Sequence, residues 1–355
     1  MAALEAAGEF PYGLIETMGS AGLFGATFPQ SLGGSAMGFE AVAVIAEEIS
    51  RLAPEFGYAL NLQAMTCPYT IYNWGSDEQI ERYVPDLIAG RRIGMFALIE
   101  PGGGSDVAGL RTTAVRDGDH YVVNGAKTFI TSGVRADFVT TAVRTGEPGH
   151  AGVSLLVVER GTPGFTVDRS LRKMGWHCSD TAELSYVDVR VPVGNLVGAE
   201  GSGFYQIAEQ FVSERIALAV HAYGIAARSL ELAAAYCRER DTFGKPLVAN
   251  QVVRHKLVEM RRQVEVARTY TRAVVERGAS VAEACLAKQT ACDAATYVCD
   301  QAVQLHGGTG YMHGTEVERH YRDARILPIG GGATEVLTDL AAKLLGYAPT
   351  RGESR

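Results

Sequence analysis

The chain has 355 residues, of which 47% are hydrophobic and 21% are charged. This length suits two or three domains, and this composition excludes an intrinsically disordered protein because it supplies enough apolar surface for large cores. Asp and Glu outnumber Lys and Arg by 40 to 33, giving a formal net charge of −7, which argues against nucleic acid or an anionic membrane as the main partner. No apolar run approaches the roughly 18 residues of a membrane span, and residues 1–10 do not have the pattern of a secretory signal. We therefore expect a cytoplasmic protein.

The first region, residues 1–92, is predicted to be helical. Residues 40–52 carry apolar side chains at helical spacing. Residues 77–89 open with two acids, as helix starts often do. Pro85 lies inside this segment and is expected to begin a second short helix, because proline has no N–H to donate and suits a first turn.

The second region, residues 93–200, consists of short segments rich in Val, Tyr, Phe and Thr, separated by Gly, Asp, Asn and Pro. Such segments are typical of strands joined by turns. The predicted strands lie within residues 121–123, 137–143, 154–158, 165–167 and 182–191. Their spacing favours a small sandwich or barrel over the alternating strands and helices of a nucleotide-binding sheet.

The third region, residues 201–355, is predicted to be helical again. Long helices are expected over residues 204–240, 252–276, 280–306 and about 334–345, with glycine-rich loops over residues 307–314 and 330–332. Helices of this length suit the rods of a four-helix bundle. We therefore predict an α+β protein with domains over residues 1–92, 93–200 and 201–355.

Cys285, Cys292 and Cys299 recur every seven residues, which places them on one face of a helix. Two turns of helix separate neighbouring thiols by about 10 Å, too far for shared metal ligation. We predict a buried packing stripe instead, and no metal site.

Two segments of the middle region could bind a flat or anionic ligand. Residues 99–107, IEPGGGSDV, contain three glycines and Ser105, so backbone N–H groups can approach a ligand closely; a tight turn without a ligand is equally compatible. Residues 124–133, NGAKTFITSG, begin with a predicted turn at Asn124 and Gly125. Phe129 and Thr131 then share one strand face and could contact a planar cofactor, although an ordinary cross-strand pair is favoured by this pattern alone.

Two features of the helical region could carry acid–base chemistry. Glu214 and Arg215 lie on opposite margins of the apolar stripe of the first long helix. Burial would raise the pKa of Glu214 and suit a general base, but the spacing alone favours an exposed glutamate at the edge of the stripe. Residues 330–332 are three glycines ahead of the last predicted helix, where free N–H groups could bind a carbonyl or oxyanion. A flexible connector is the alternative.

Five segments, in order along nearly the whole chain, together resemble the acyl-CoA dehydrogenase family. EPGGGSD at residues 100–106 is similar to the family's E-P-x-x-G-S-D, and NGAKTFITSG to its N-G-x-K-x-[WF]-I-T-[NS]-G. Residues 173–192 resemble the stretch that closes its β-domain. RDTFGKPLVANQ at residues 240–251 resembles its R-x-x-F-G-x-x-L-x-x-x-Q, and residues 304–311 with 322–326 resemble its late signature. The resemblance implies the family's fold of helical, β and four-helix-bundle domains.

The resemblance implies FAD as cofactor and a homotetramer with each flavin near a subunit interface. Along the isoalloxazine ring it implies Phe96, Leu98, Ile99, Gly104 and Ser105, with Phe129 and Thr131 covering the ring. From the neighbouring subunit it implies Arg240, Phe243, Gln251, Gln304 and Gly308 at the pyrophosphate and adenosine. It further assigns Ala333 and Glu335 to the cofactor, and Ser105, Phe211 and Arg215 to the acyl-CoA path.

Three departures from the family pattern refine these expectations. The short- and medium-chain branches carry the catalytic base in an E-G-T run, and Gly331 occupies that position here. The long-chain and isovaleryl branches place the base on the long helix immediately before an Arg, which is Glu214 here. Ile99 stands where a flavin-bonding Thr is common, so only backbone contacts are implied there. Family members also have about one more helix before Phe10, so a shortened start is expected.

The implied reaction is the conversion of a saturated acyl-CoA to a trans-2-enoyl-CoA, a step of fatty acid metabolism. Glu214 would take the α-hydrogen while the Gly331 N–H binds the thioester carbonyl and a hydride passes to flavin N5. An electron-transfer flavoprotein would then receive the electrons. The alternatives are an acyl-carrier-protein-linked dehydrogenase, a flavin oxidase of the same fold, or a non-catalytic subunit of a hetero-oligomer. A hydrolase is disfavoured because the chain has no G-x-S-x-G elbow.

Overall fold

The structure, a computed structural model, describes residues 2–348, so residue 1 and residues 349–355 of the predicted terminal domains lie outside it. Helices precede a β-sheet, and helices follow it, which confirms the predicted α–β–α order. The N-terminal helices are α1 (Ala2–Ala7), α2 (Tyr12–Ser20), α3 (Phe39–Leu52), α4 (Pro54–Asn61), α5 (Cys67–Trp74) and α6 (Asp77–Ile88), with a π-helical segment over Leu62–Thr66.

Helix α6 continues through Pro85, so the prediction that this proline begins a second helix is wrong. A capping box starts the helix: the Gln79 N–H donates to Ser76 Oγ at 3.3 Å, and the Ser76 N–H donates to Gln79 Oε1 at 3.1 Å. Pro85 lies in the last turn, where Val84 and Leu87 are fully buried. Burial of this face stabilises the helix enough to accommodate one missing N–H.

The middle of the chain forms a seven-stranded sheet. Its strands are β1 (Gly94–Ala97), β2 (Thr113–Asp117), β3 (His120–Thr131), β4 (Phe138–Arg144), β5 (Val153–Glu159), β6 (Phe165–Ser170) and β7 (Thr181–Pro192). β5 pairs with β4, and from β4 the sheet continues through β2, β3 and β7 to β6. The sequence did not indicate β1 and β2, because β1 has only four residues and β2 is mostly exposed.

Strand β3 is longer than predicted and contains two bulges. Asn124 and Gly125 continue the strand, so the turn predicted there is wrong. The register against β7 shifts between Val123 and Gly125, and a Cβ on Gly125 would lie 2.5 Å from Thr112 Oγ1. The register shifts again just before Ile130. A bulge re-aims the side chains of its strand, and the second one lies in the predicted cofactor segment.

The C-terminal helices form a bundle around one central helix. They are α7 (Gly203–Glu239), α8 (Gln251–Arg277), α9 (Val281–His306), α10 (Gly308–Tyr311), α11 (Glu316–Ala324) and α12 (Thr334–Leu344), with a two-stranded hairpin over Asp241–Thr242 and Lys245–Pro246. The prediction of residues 307–314 as loop is wrong in part, since α10 begins there. Helix α11 was not predicted.

Helix α7 is the centre of this bundle and packs against α3, α8 and α9. By length and hydropathy it could span a membrane, but 83% of its most apolar stretch is buried inside the protein. It is therefore a core helix.

The cysteine stripe on α9 is buried as predicted, with Cys285, Cys292 and Cys299 each at most 1% exposed. All three are free thiols. Among residues 2–348, His, Cys, Asp and Glu side chains form no group arranged to hold a metal ion.

Candidate active site

Helix α7 places Glu214 and Arg215 inside the protein. Only 8% of Glu214 and 7% of Arg215 is exposed, so the exposed glutamate that the spacing favoured is wrong. The prediction failed because α7 is covered on several sides by other helices. Residues at both margins of its apolar stripe are therefore buried.

Gly331 lies beside the carboxyl group of Glu214. A Cβ on Gly331 would stand 3.5 Å from Glu214 Oε1 and 2.3 Å from Leu218 Cδ1, so a side chain here would require Leu218 to shift. Its φ of +63° is a left-handed conformation that residues with a side chain rarely adopt. Within residues 2–348 the Gly331 N–H has no hydrogen-bond partner. A buried carboxylate and a free backbone donor thus lie together.

The charge of Glu214 is set by its surroundings. Burial raises the pKa of its carboxyl group, and the cations Arg215 and Lys288 partly offset this effect. The Arg215 guanidinium carbon lies 5.4 Å from the centroid of the Phe211 ring, and its Nε has no partner among the described residues. A carboxylate of raised basicity can take a proton from a bound molecule. The free N–H beside it can stabilise the negative charge left on that molecule.

A second cluster joins the two glycine-containing motifs of the middle domain. The Thr128 N–H donates to the Ile99 carbonyl at 2.9 Å, and Lys127 Nζ donates to the Leu98 carbonyl at 3.1 Å. Phe129, with φ +58°, is 66% exposed, whereas Ile130 is buried. The motifs therefore form one surface, from which the Phe129 ring projects.

The remaining residues of this cluster line the same surface. Thr131, Phe96 and Ile99 are half-buried, and Leu98 is buried. Gly104 and Ser105 are exposed. A Cβ on Gly102 or Gly103 would meet nothing within 4 Å, so the backbone of this turn is open to a ligand.

Lys127 and Glu100 form an ion pair that the sequence reasoning missed. Lys127 is fully buried, and its Nζ lies 2.9 Å from Glu100 Oε1. Burial lowers the pKa of Lys127 to about 8 although Glu100 raises it in part. Glu100 also accepts the N–H groups of Arg111 at 2.6 Å and Thr112 at 2.8 Å. A lysine between Ala126 and Thr128 in a strand with apolar residues at both ends was the available signal, and the pair fixes the EPGGGSD turn on β3.

The residues assigned to the adenosine half of the cofactor lie at the far end of the bundle. Arg240, Gln251, Gln304 and Gly308 are exposed there. The rings of Tyr236 and His306 stack 4.3 Å apart and join the ends of α7 and α9. Phe243 is fully exposed in the hairpin with φ +54°. At 1.5 Å per residue, Arg240 is about 39 Å along the helix from Glu214.

The segment after Gly331 leads directly into α12. Ala333 is the N-cap of this helix, and Glu335 is an exposed acid in its first turn. Phe211 lies one turn before Arg215 on α7 and is half-buried. The structure therefore gathers Glu214, Arg215, Phe211 and Gly331 in one place and separates them from the Arg240 group.

The residues of the middle domain fit a flavin. They provide an exposed aromatic face at Phe129, a hydroxyl at Thr131 and an open glycine turn for backbone hydrogen bonds. Arg240 is an exposed cation that forms no ion pair with another residue of the range 2–348, so its guanidinium is available to an anionic pyrophosphate.

The chain matches three domain families over most of its length. They are described as acyl-CoA dehydrogenase N-terminal, middle and C-terminal domains and match residues 1–91, 95–189 and 201–346. An acyl-CoA dehydrogenase of Bacillus subtilis is 40% identical over 347 residues, covering 96% of this chain and 92% of that protein.

Solved structures have the same fold. A Mycobacterium smegmatis structure assigned as an acyl-CoA dehydrogenase is 53% identical, with a TM-score of 0.94, and covers 98% of this chain and 93% of that one. A glutaryl-CoA dehydrogenase from the same organism, in complex with FADH2, is 27% identical with a TM-score of 0.92, covering 98% of this chain and 90% of that one. Because its domain matches, its relatives and its fold agree from end to end, this chain belongs to the acyl-CoA dehydrogenase family of oxidoreductases.

Proposed function

We propose that the protein is an FAD-dependent acyl-CoA dehydrogenase that converts a saturated acyl-CoA to a trans-2-enoyl-CoA with Glu214 as the base. The observation that carries this proposal is the buried Glu214 carboxyl group beside the free N–H of Gly331. The short- and medium-chain branches carry their catalytic carboxylate at the position of Gly331. Glu214 on α7 would supply that carboxylate here.

The residues divide the reaction between them. The Gly331 N–H donates to the thioester carbonyl and stabilises the enolate oxygen, a contribution of about 3 kcal/mol for one such donor. Glu214, made more basic by burial, takes the α-hydrogen as a proton. Ser105 and Phe211 line the acyl-CoA path. FAD, when bound, would supply an acceptor for the β-hydrogen as a hydride. The surface formed by Leu98, Ile99, Phe129 and Thr131 would hold its ring and exclude water from one side.

The test is an anaerobic titration of the purified yellow protein with straight and branched acyl-CoAs, followed by the loss of flavin absorbance. Bleaching by one class of acyl-CoA is expected, and the same panel identifies the chain length. The corresponding acyl-carrier-protein thioesters are titrated in parallel, and bleaching by these alone would replace CoA as the carrier. Rapid oxygen consumption at steady state would make the protein an oxidase. A colourless protein would indicate a non-catalytic subunit.

We further propose a homotetramer in which Arg240 of one subunit binds the pyrophosphate of its neighbour's flavin, with an electron-transfer flavoprotein as acceptor. The separation of about 39 Å along α7 between Glu214 and Arg240 supports two different flavins for these residues.

Arg240→Ala is expected to weaken FAD retention about tenfold or more, because a charge-assisted contact to pyrophosphate is lost. Flavin content after gel filtration measures this. Arg238→Ala removes an exposed cation two residues away and should keep its flavin. Equal flavin content in the two variants would contradict the interface assignment.

A further inference from the structure

Lys288, two turns into α9, is a buried cation that the proposed mechanism leaves unexplained. Only 1% of this residue is exposed. Lysine is almost never fully buried unless its ammonium group is paired, because removing the charge from water is unfavourable. The partners of Lys288 therefore indicate what it does.

The partner of Lys288 belongs to the glycine segment beside Glu214. Lys288 Nζ donates to the Gly332 carbonyl at 2.6 Å. Gly331 and Gly332 have φ values of +63° and +100°. As glycines, they have no side chain that could hold this conformation by packing. The segment would sample many conformations if the surrounding protein did not fix it. The hydrogen bond from Lys288 fixes the peptide between Gly332 and Ala333, two peptide units after the one that carries the Gly331 N–H.

The neighbouring residue, Gln289, holds the same segment one step further on. Gln289 Nε2 donates to the Thr334 carbonyl at 3.0 Å and to Thr338 Oγ1 at 2.7 Å. Gln289 thus anchors the start of α12 without carrying a charge. Both residues donate to a carbonyl of the same segment, but only Lys288 carries a charge. Gln289 is therefore a matched control for Lys288.

Lys288 also acts on Glu214 through its charge. The groups that face Lys288 are Glu214 and Arg215 on α7 and the thiols Cys285 and Cys292 on its own helix. Burial raises the pKa of Glu214, and Arg215 and Lys288 lower it in part. Burial lowers the pKa of Lys288 itself, with partial compensation from Cys292 and Glu214. Removing the ammonium group would thus leave Arg215 as the remaining cation that opposes protonation of Glu214.

We propose that Lys288 is the positioning residue of this site, holding the Gly332 carbonyl so that the Gly331 N–H and the Glu214 carboxyl group face the same substrate carbon and carbonyl. Lys288 does not touch the substrate. It acts through the backbone of the glycine segment and through its charge on Glu214. The inference rests on the proposed function and adds to it the residue that keeps donor and base in register.

The experiment compares Lys288→Met, Lys288→Arg and Gln289→Met by anaerobic flavin reduction with the best acyl-CoA between pH 6 and pH 9. Lys288→Met should slow reduction about 100-fold, the effect of a lost oxyanion donor. The acid limb of its pH–rate profile is the range in which the rate rises as Glu214 loses its proton. This limb should move to higher pH, because loss of a cation favours protonated Glu214. Lys288→Arg should keep the acid limb of the wild type but recover only part of the rate, since guanidinium keeps the charge and changes the geometry.

Gln289→Met provides the control for a purely structural role. It should lose less activity than Lys288→Met, with no movement of the acid limb. If Lys288→Met and Gln289→Met behave alike at every pH, the inference is wrong. If Lys288→Met does not fold, Lys288→Arg decides: a fully active enzyme or an acid limb moved to higher pH would overturn the proposal.

A second readout does not depend on turnover. Infrared titration of the purified proteins follows the C=O band of a protonated buried carboxyl group. This band should persist to higher pH in Lys288→Met than in the wild type, and adding Glu214→Gln should remove it. If the band does not move, the inference is wrong even if acyl-CoA reduces the flavin. If the band moves but acyl-CoA does not reduce the flavin, the proposed function is wrong, and the coupling between the Lys288 charge and protonation of Glu214 remains.

Discussion

Glu214→Gln is expected to abolish reduction of the flavin by acyl-CoA, with a loss of about 10⁴-fold, the upper range for one general base. The amide has nearly the same shape as the carboxyl group but cannot accept the α-proton. Because the substitution preserves the size of the side chain and Glu214 is not among the residues assigned to flavin, the variant should purify yellow. Stopped-flow absorbance under anaerobic conditions measures the loss.

Glu209→Gln is the control for this substitution. Glu209 lies on the same helix but is exposed, so its replacement should leave the rate close to that of the wild type. Full activity of Glu214→Gln would remove Glu214 as the base. Loss of flavin from that variant would instead show that Glu214 contributes to cofactor binding.

Gly331→Ala is expected to slow the same step about 100-fold, through displacement of the N–H that stabilises the enolate oxygen. The new Cβ would approach Leu218 Cδ1 to 2.3 Å, and alanine is strained at a φ of +63°. We expect the backbone to relax away from this φ, and the donor moves with it. The rate of flavin reduction at saturating acyl-CoA measures the effect.

Gly330→Ala separates this effect from a general disturbance of the segment. A Cβ on Gly330 would meet only ordinary contacts, the nearest being the Ile326 carbonyl oxygen at 3.6 Å. This variant should lose far less activity than Gly331→Ala. Similar losses in both would indicate that flexibility of the segment, and not the Gly331 donor, limits the rate.

Much of the fold could be predicted because its signals are local. The segments predicted as helices coincide with α3, α7, α8, α9 and α12 to within a few residues. The failures also have local causes. Asn124 and Gly125 have the composition of a turn, but pairing of β3 with β7 on both sides of them makes them a bulge. Pro85 has the chemistry of a helix start, but the capped helix before it continues.

The candidate site was predictable only as a set of motifs. The resemblance pointed to Glu214, whereas spacing alone favoured an exposed side chain. The Lys127–Glu100 pair joins residues 27 positions apart, and the Lys288–Gly332 contact joins residues 44 positions apart. No periodicity within one element contains that information.

The sequence by itself determined the order of helices and strands, the glycine positions and the family, because each depends on residue type and short-range spacing. The tertiary structure decided that Glu214 is buried, that Gly331 faces it and that Lys288 holds the glycine segment. Burial and charge coupling depend on which distant segments surround a group, since water is excluded and electrostatic effects strengthened only when α7, α9 and the segment before α12 pack together.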